Sequence, residues 1–89
     1  MLEAAIVIRN RLGLHARAAV KFVNTANRFS ADVKIVKDGN AIDGKSILGI
    51  LTLAATQGTE VVLKVDGADE EGALKALVAL INNKFDEKE

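Results

Sequence analysis

Three short segments of the chain alternate apolar and polar residues, which is the pattern typical of half-buried β-strands. In the first of them, every second residue from Leu2 to Ile8 is apolar. The dipeptide Asp38-Gly39 follows the second segment and strongly favours a two-residue hairpin turn, so we predict that a short strand returns after it. The four predicted strands are residues 2–9, 32–37, 40–43 and 60–66.

Elsewhere in the chain, apolar residues recur three and four positions apart, which is the spacing of one helix face. Such a stripe, from Ala19 to Phe29, predicts a helix over residues 16–28. Another helix is predicted after the last strand, where Asp69 would cap it and the acidic residues 70–71 suit the positive end of a helix. The apolar stripe of this last helix consists of Leu74, Leu77 and Ile81.

The apolar run over residues 47–55 fits either a buried strand or a helix, because so short a run has no clear period. Ser46 precedes the run and is a favourable N-cap, and Gly58 is placed to terminate a helix. We therefore predict a helix here. The run has more apolar residues than one face can bury, so we expect some to be exposed, although a fully buried helix fits the pattern equally well.

The predicted order is strand, helix, strand, strand, helix, strand, helix (βαββαβα). This order predicts an α+β fold in which three helices cover one face of a four-stranded antiparallel sheet. The 89 residues suffice for a single domain, residues 1–89, with one modest core.

Composition removes several classes of function. Twelve basic residues balance twelve acidic ones and aromatic residues make up 3% of the chain, so we expect no nucleic-acid binding. The chain has no cysteine and one histidine, which excludes disulfides and thiolate or multi-histidine metal sites. The longest early apolar run is too short to span a bilayer, so we expect no membrane insertion and a cytoplasmic location.

The one histidine, His15, lies at or just before the start of the first predicted helix. The first N–H groups of a helix lack partners and, with the helix dipole, form an anion-binding site. An imidazole nitrogen is a nucleophile, and Arg17 offers a guanidinium suited to phosphate oxygens. This combination predicts a phosphoryl-accepting histidine, although from spacing alone a surface cap beside a solvated arginine is the commoner arrangement.

Two segments resemble the histidine-containing phosphocarrier (HPr) family of the phosphoenolpyruvate-dependent phosphotransferase system. Residues 10–19, NRLGLHARAA, are similar to the family's active-site segment, and residues 45–49, KSILG, are similar to its regulatory serine segment. The length and the element order also agree with the family's open-faced sandwich fold. The resemblance therefore extends over essentially the whole chain.

The resemblance implies a component of a phosphoryl relay rather than a free-standing enzyme. His15 would accept a phosphoryl group on Nδ1 from Enzyme I and pass it to an A-type domain of a sugar-specific Enzyme II, with Arg17 supporting the group and no metal or cofactor required. Ser46 would be phosphorylated by an HPr serine kinase/phosphorylase. We also expect a monomer. The implied partner-binding residues are Ala16, Val20, Lys21, Ile47, Leu48 and Leu51.

Ser46 has a second, simpler interpretation. As an N-cap, its hydroxyl would stabilise the helix by about 1 kcal/mol without any regulation. Phosphorylation would add nearly two negative charges at a helix N-terminus, which the helix dipole tolerates. We therefore expect phosphorylation to leave the fold intact and to place charge among the partner-binding residues.

Two positions depart from the family pattern. Ala18 occupies the place of a proline that usually follows the arginine, which leaves the first helical turn less rigid. Leu12 stands where many members have a small polar residue, which makes the phosphoryl group more dependent on backbone N–H groups and Arg17. Leu12 and residues 80–85 look more like the family's nitrogen-branch paralogue, so a regulatory role instead of sugar uptake is the alternative.

Residues 39–46 match the phosphate-loop pattern G-x-x-x-x-G-K-S. That pattern binds nucleotides when the loop joins a buried strand to a helix in a parallel sheet. Here Asp38-Gly39 is predicted to be a hairpin turn and residues 41–42 to lie in a strand. We therefore do not expect nucleotide binding.

Overall fold

The computed structural model describes residues 1–88 of the chain. Within this range the predicted element order is present, and a short 3-10 turn at Lys84–Asp86, which we call the C-terminal turn, follows the last helix. No helix among residues 1–88 is long and apolar enough to cross a membrane. The elements are β1 (Leu2–Val7), α1 (Ala16–Ala26), β2 (Asp32–Lys37), β3 (Asn40–Asp43), α2 (Ile47–Thr52), β4 (Glu60–Asp66) and α3 (Glu70–Asn82).

The four strands form one antiparallel sheet with the order β1-β4-β2-β3. β4 pairs with both β1 and β2, and β3 pairs only with β2. The β2–β3 hairpin turns at Asp38 and Gly39, whose φ angles are both positive, as a tight hairpin turn requires. The predicted α+β fold, a four-stranded antiparallel sheet with three helices, is confirmed.

The core lies between one face of the sheet and the three helices. Alternation along the strands sends Ile35 and Leu63 into this layer, where both are fully buried. From the helices, Phe22 of α1, Ile50 of α2 and Leu77 of α3 are each fully buried and belong to the same hydrophobic cluster. Because α1 packs against both other helices, its N-terminus is held at a fixed place on the surface.

The helix α2 ends earlier than predicted. It stops at Thr52, and Gly58 does not terminate it. The chain leaves the helix at Ala54, which has φ +51°, and the Ala55 carbonyl thereby reaches the loop that follows β1. Gly58 lies instead in the turn before β4, where its N–H donates to the Ile8 carbonyl over 2.8 Å. Pairing with the loop after β1 therefore decides where this helix ends.

Asp69 occupies the N-cap position of α3, but the prediction that its side chain caps the helix is wrong. Its carboxylate accepts hydrogen bonds from the backbone N–H groups of Ser30 and Ala31, both over 2.8 Å. The hydrogen bond from Ser30, with others from nearby groups, lowers the pKa of Asp69. Two amides beyond the end of α1 lack helical partners, and Asp69 satisfies them, so it ties α3 to the segment after α1.

The segment that matches the phosphate-loop pattern runs from the β2–β3 turn through β3 to the residues just before α2. Ala41 and Ile42 pair with Val36 and Ile35 across the antiparallel β2–β3 ladder. Lys45, the lysine of the pattern, donates from Nζ to the Phe29 carbonyl over 2.8 Å. The parallel strand–loop–helix setting that the pattern needs is therefore replaced by an antiparallel hairpin, as predicted.

Candidate functional site

The loop between β1 and α1 places His15 at the start of the helix. Gly13 has φ +67°, and a Cβ there would lie 2.4 Å from the Ala55 carbonyl oxygen, so only glycine fits. The Leu14 N–H donates to the same carbonyl over 2.9 Å. The side chain of the buried Asn10 closes the loop by donating to the Gly13 carbonyl over 2.8 Å. The loop is therefore fixed against the segment that follows α2.

His15 is the N-cap residue of α1, as predicted. Its backbone is extended, with φ −82° and ψ 179°, and its carbonyl accepts a hydrogen bond from the Ala19 N–H over 2.8 Å. The imidazole does not cap the helix, and the side chain is 23% exposed. The N–H groups of Ala16, Arg17 and Ala18 have no carbonyl partner within the helix, so they form its positive end beside the ring.

Glu87 contacts the imidazole from the far end of the chain. The ring nitrogen Nε2 of His15 lies 2.5 Å from Oε2 of Glu87. The other carboxylate oxygen, Oε1, accepts a hydrogen bond from Nδ2 of Asn10 over 2.9 Å. Glu87 was not among the predicted site residues, because no spacing or motif in the sequence connects positions that are 72 residues apart.

The C-terminal turn brings Glu87 back to the ring. Lys84, Phe85 and Asp86 have φ angles of 56°, 54° and 62°. This left-handed conformation costs about 1–2 kcal/mol per residue. Burial of the Phe85 side chain, which is fully enclosed, returns about 1.5–3 kcal/mol, and the Phe85 carbonyl accepts a hydrogen bond from Lys21 Nζ over 2.6 Å. Side-chain anchoring therefore maintains a turn that the backbone alone disfavours.

The surroundings of Glu87 favour its ionised form. Partial burial of the carboxylate works to raise its pKa, but the hydrogen bonds from Asn10 and His15 act in the opposite direction. The positive charge of Arg17 adds to their effect. The net result is that the pKa of Glu87 is lowered from its ordinary value, so this carboxylate is ionised at neutral pH.

A cleft of about 520 Å³ is lined by Glu87, whose carboxylate contacts the ring, and by Arg17, two residues after His15. Four of its lining residues are basic and two are acidic, so the cleft has an excess of positive charge that suits a phosphoryl group. Among residues 1–88, no group of three or more acidic or histidine side chains is arranged to hold a metal ion. The lining residues are Arg11, Leu12, Arg17, Lys21, Asp86, Glu87 and Lys88.

The six predicted partner-binding residues all lie on α1 and α2, which pack against each other. Leu48 is 77% exposed, and Val20 and Ile47 are exposed as well, at 40% and 38%. Ile50 is fully buried, so α2 leaves part of its apolar run in solvent, as predicted. Leu51 is half-buried. We use the term docking surface for Ala16, Val20, Ile47, Leu48 and Leu51.

Two further predicted residues make defined contacts. The Ser46 hydroxyl accepts a hydrogen bond from the Gly49 N–H over 3.1 Å, which confirms that Ser46 caps α2. Lys21 is half-buried, and its ammonium donates to the Phe85 carbonyl. The charge of Lys21 therefore lies in the cleft, next to the C-terminal turn.

A family model described as "PTS HPr component phosphorylation site" matches residues 2–83. The chain belongs to the HPr family. It is 49% identical to the phosphocarrier protein HPr of Neisseria meningitidis serogroup A over the full length of both chains. The crystal structure of HPr-C-His from Thermoanaerobacter tengcongensis superposes with a TM-score of 0.96 at 48% identity, covering all of both chains.

Family membership bears on the alternatives that the sequence left open. The chain is an HPr phosphocarrier of the phosphotransferase system, and the nitrogen-branch alternative is not favoured, because curated relatives with 49% and 51% identity are named phosphocarrier protein HPr. A crystal structure of an HPr dimer from T. tengcongensis is also similar, with a TM-score of 0.79 and 49% identity over 98% of this chain and all of that one. The expected monomer therefore stays a prediction. The family match ends at residue 83, before the C-terminal turn and Glu87.

Gly13→Ala should destabilise the protein by about 2 kcal/mol or more, because it combines left-handed strain with a collision at the Ala55 carbonyl. Gly39→Ala is the matched control: its φ is also positive, at +81°, but nothing lies within 4 Å of the added Cβ. We expect the control to cost only about 1 kcal/mol. Urea unfolding gives the free energy of unfolding of both variants. Equal losses of that free energy would contradict the conclusion that only glycine fits at position 13.

Glu87 should contribute stability that depends on pH. Because its pKa is lowered in the folded state, the contribution is present above the ordinary glutamate pKa of about 4.5 and is lost as the pH falls through the lower folded value. The unfolding free energies of the wild type and Glu87→Gln should therefore converge on acidification. The exposed Glu71→Gln serves as the control. A difference between wild type and Glu87→Gln that stays constant between pH 6 and about pH 3 would contradict this prediction.

Proposed function

We propose that this HPr-family chain accepts a phosphoryl group on His15 from phosphorylated Enzyme I and passes it to an A-type domain of a sugar-specific Enzyme II. The observation that carries the proposal is the position of His15. Its partly exposed ring stands at the positive end of α1, and its neighbours Arg17 and Glu87 line a cleft with excess positive charge. An incoming phosphoryl group would meet a nucleophilic nitrogen and an anion-binding environment at the same place.

The residues around the ring suit transient carriage of phosphate. In the proposed step, a lone pair of the imidazole attacks phosphorus, while the bond to the donor's leaving group breaks and its electron pair stays with the donor. The exposed guanidinium of Arg17 and the first-turn N–H groups of α1 would stabilise the charge on the phosphoryl oxygens. Alignment of donor and acceptor then supplies most of the catalysis.

The docking surface is the proposed contact area for both partners. It places exposed apolar side chains next to the start of α1, and exposed apolar residues beside a reactive group are typical of protein–protein contacts. Enzyme I and the Enzyme II domain would use the same surface in turn, because each has to reach the same ring. Lys21, which lines the cleft, would add positive charge at the edge of the docking surface.

Ser46 is the proposed site of regulation by an HPr serine kinase/phosphorylase. Its hydroxyl caps α2 and lies directly before Ile47 and Leu48 of the docking surface. A phosphate on this oxygen would remain near a helix N-terminus, which is compatible with the fold. It would also place about two negative charges at the edge of an apolar contact area, where an incoming partner would have to desolvate them.

We propose that the carrier acts as a cytoplasmic monomer. A single chain supplies all four strands and the buried side chains of the core, including the six-residue pairing of β1 with β4. A dimer of the kind known for a relative would instead appear in sedimentation at micromolar concentration.

His15→Ala should abolish phosphorylation by Enzyme I and phosphoenolpyruvate, because the chain has no other imidazole. The measurement is the yield of acid-labile, base-stable phosphate on the protein, with circular dichroism to verify the fold. The exposed Asn27→Ala, at the other end of α1, is the control and should be phosphorylated as the wild type is. Acid-labile phosphate on the His15→Ala protein would refute the assignment.

Ser46→Asp should slow phosphoryl exchange with Enzyme I by about tenfold or more, while the thermal midpoint changes by only a few degrees. Ser46→Asn is the matched control, because asparagine has the same shape as aspartate, caps helices equally well and carries no charge. The exchange rates of the two variants are measured by rapid mixing with phosphorylated Enzyme I followed by chemical quenching. Equal rates for the two variants would remove the electrostatic explanation.

A further inference from the structure

The contact between His15 and Glu87 determines which ring nitrogen carries a proton. An ionised carboxylate has no hydrogen to donate, so the hydrogen atom in the 2.5 Å contact belongs to Nε2 of His15. In a neutral imidazole the second nitrogen, Nδ1, then has the free lone pair. Among residues 1–88, no hydrogen bond to Nδ1 occupies that lone pair.

We propose that Glu87 is a positioning residue that makes Nδ1 of His15 the phosphoryl acceptor. This inference rests on the proposed phosphocarrier function and adds the group that orients the ring. Glu87 touches neither the donor nor the phosphorus atom. It acts by holding the ring in the tautomer, and in the orientation, that present Nδ1 to the donor.

The carboxylate is itself held in place on two sides. Asn10 donates from the same nitrogen, Nδ2, to Oε1 of Glu87 and to the Gly13 carbonyl, over 2.9 and 2.8 Å. From the other side, the buried Phe85 anchors the C-terminal turn two residues before Glu87. A side chain with both of its oxygens bonded and its backbone fixed can impose a single ring orientation.

Three consecutive left-handed residues separate α3 from Glu87, although none of the three is glycine. Such strain persists only where surrounding contacts hold it, and it is found preferentially at functional sites. The Phe85 side chain accounts for one of the holding contacts and Lys21 for another, through its hydrogen bond to the Phe85 carbonyl. The outcome of this geometry is the placement of one carboxylate against one imidazole.

The proposed step leaves the Nε2 proton in place. The Nδ1 lone pair forms a bond to phosphorus, the bond between phosphorus and the donor breaks, and its electron pair leaves with the donor. The phosphorylated ring then carries a positive charge, because both of its nitrogens are substituted, and Glu87 faces that charge. In the onward step the Nδ1–P bond breaks and its electron pair returns to Nδ1, so the ring is neutral again with its proton still on Nε2.

Charged groups on neighbouring elements face the same region. Arg11 and Arg17 lie on the loop and the first turn of α1, Lys21 lies one turn further, and Asp86 and Lys88 flank Glu87. The positive charge of Arg17 helps to lower the pKa of Glu87, which keeps its carboxylate an acceptor for the Nε2 proton. The positioning role therefore depends on this carboxylate together with its basic neighbours.

Phosphoramidate tests the role without a protein partner, because its phosphoryl group transfers to imidazole nitrogen with release of ammonia. The full-length wild type, Glu87→Ala and Glu87→Gln are treated with it, and ³¹P and ¹⁵N NMR identify the nitrogen that carries phosphate. We expect only the Nδ1 adduct in the wild type and a mixture of Nδ1 and Nε2 adducts in Glu87→Ala. Glu87→Gln should relax the selectivity too, since Asn10 and His15 bond different carboxylate oxygens, and in glutamine one of them would face an NH2 group that cannot accept a hydrogen bond.

A second readout is the ring N–H proton of His15. In the wild type we expect a hydrogen-bonded Nε2–H resonance, and in Glu87→Ala we expect its loss through exchange with water. Glu71→Ala, which removes an exposed glutamate from α3, is the control and should resemble the wild type in both measurements. If Glu87 had a purely structural role, Glu87→Ala would lower the stability of the protein without changing which nitrogen is phosphorylated.

The outcomes separate the two proposals. If Enzyme I fails to phosphorylate wild-type His15, the proposed function falls, whatever the variants do. If wild-type His15 is phosphorylated but Glu87→Ala and Glu87→Gln both retain exclusive Nδ1 labelling, the positioning role of Glu87 is overturned and the phosphocarrier function stands. Phosphate on Nε2 of the wild type would also overturn it.

Discussion

The site depends on the joining of two loops by the Ala55 carbonyl. The hydrogen bond from the Leu14 N–H and the close approach of Gly13 both use this oxygen, and together they fix the residue that follows them, His15, at the start of α1. The same interaction ends α2, because the chain has to leave the helix for Ala55 to reach the loop. One carbonyl therefore sets both the position of the ring and the length of the helix that carries part of the docking surface.

The surroundings of the ring combine opposite charges. In the proposed transfer, the positive end of α1 would attract the phosphoryl group, while the carboxylate of Glu87 contacts Nε2, the ring nitrogen other than the free Nδ1. These roles do not conflict, because Glu87 is bonded to Nε2 and Asn10 and is thereby directed away from the free nitrogen. The strained C-terminal turn is the structural feature that holds this carboxylate at Nε2.

The sequence predicted the fold because the local signals agreed with one another. Alternation along the strands, the Asp38-Gly39 turn and the Ser46 cap all specify the structure that forms, and each depends on residues close together in the chain. The predictions failed where distant contacts outweigh local preference. Asp69 is a residue type that often caps helices, yet it bonds two amides that the end of α1 leaves unpaired. Gly58 does not end α2, because its N–H bonds to the Ile8 carbonyl just after β1.

By itself, the sequence determined the fold class, the placement of His15 at a helix N-terminus and the excess of apolar residues on α2, because periodicity and capping chemistry are local properties. Only the tertiary structure decided the partner of the ring. Glu87 reaches His15 through a left-handed turn that sequence preference disfavours at each of its three residues. Burial of Phe85 and the bond from Lys21 overcome that preference, and these forces exist only once the chain has folded.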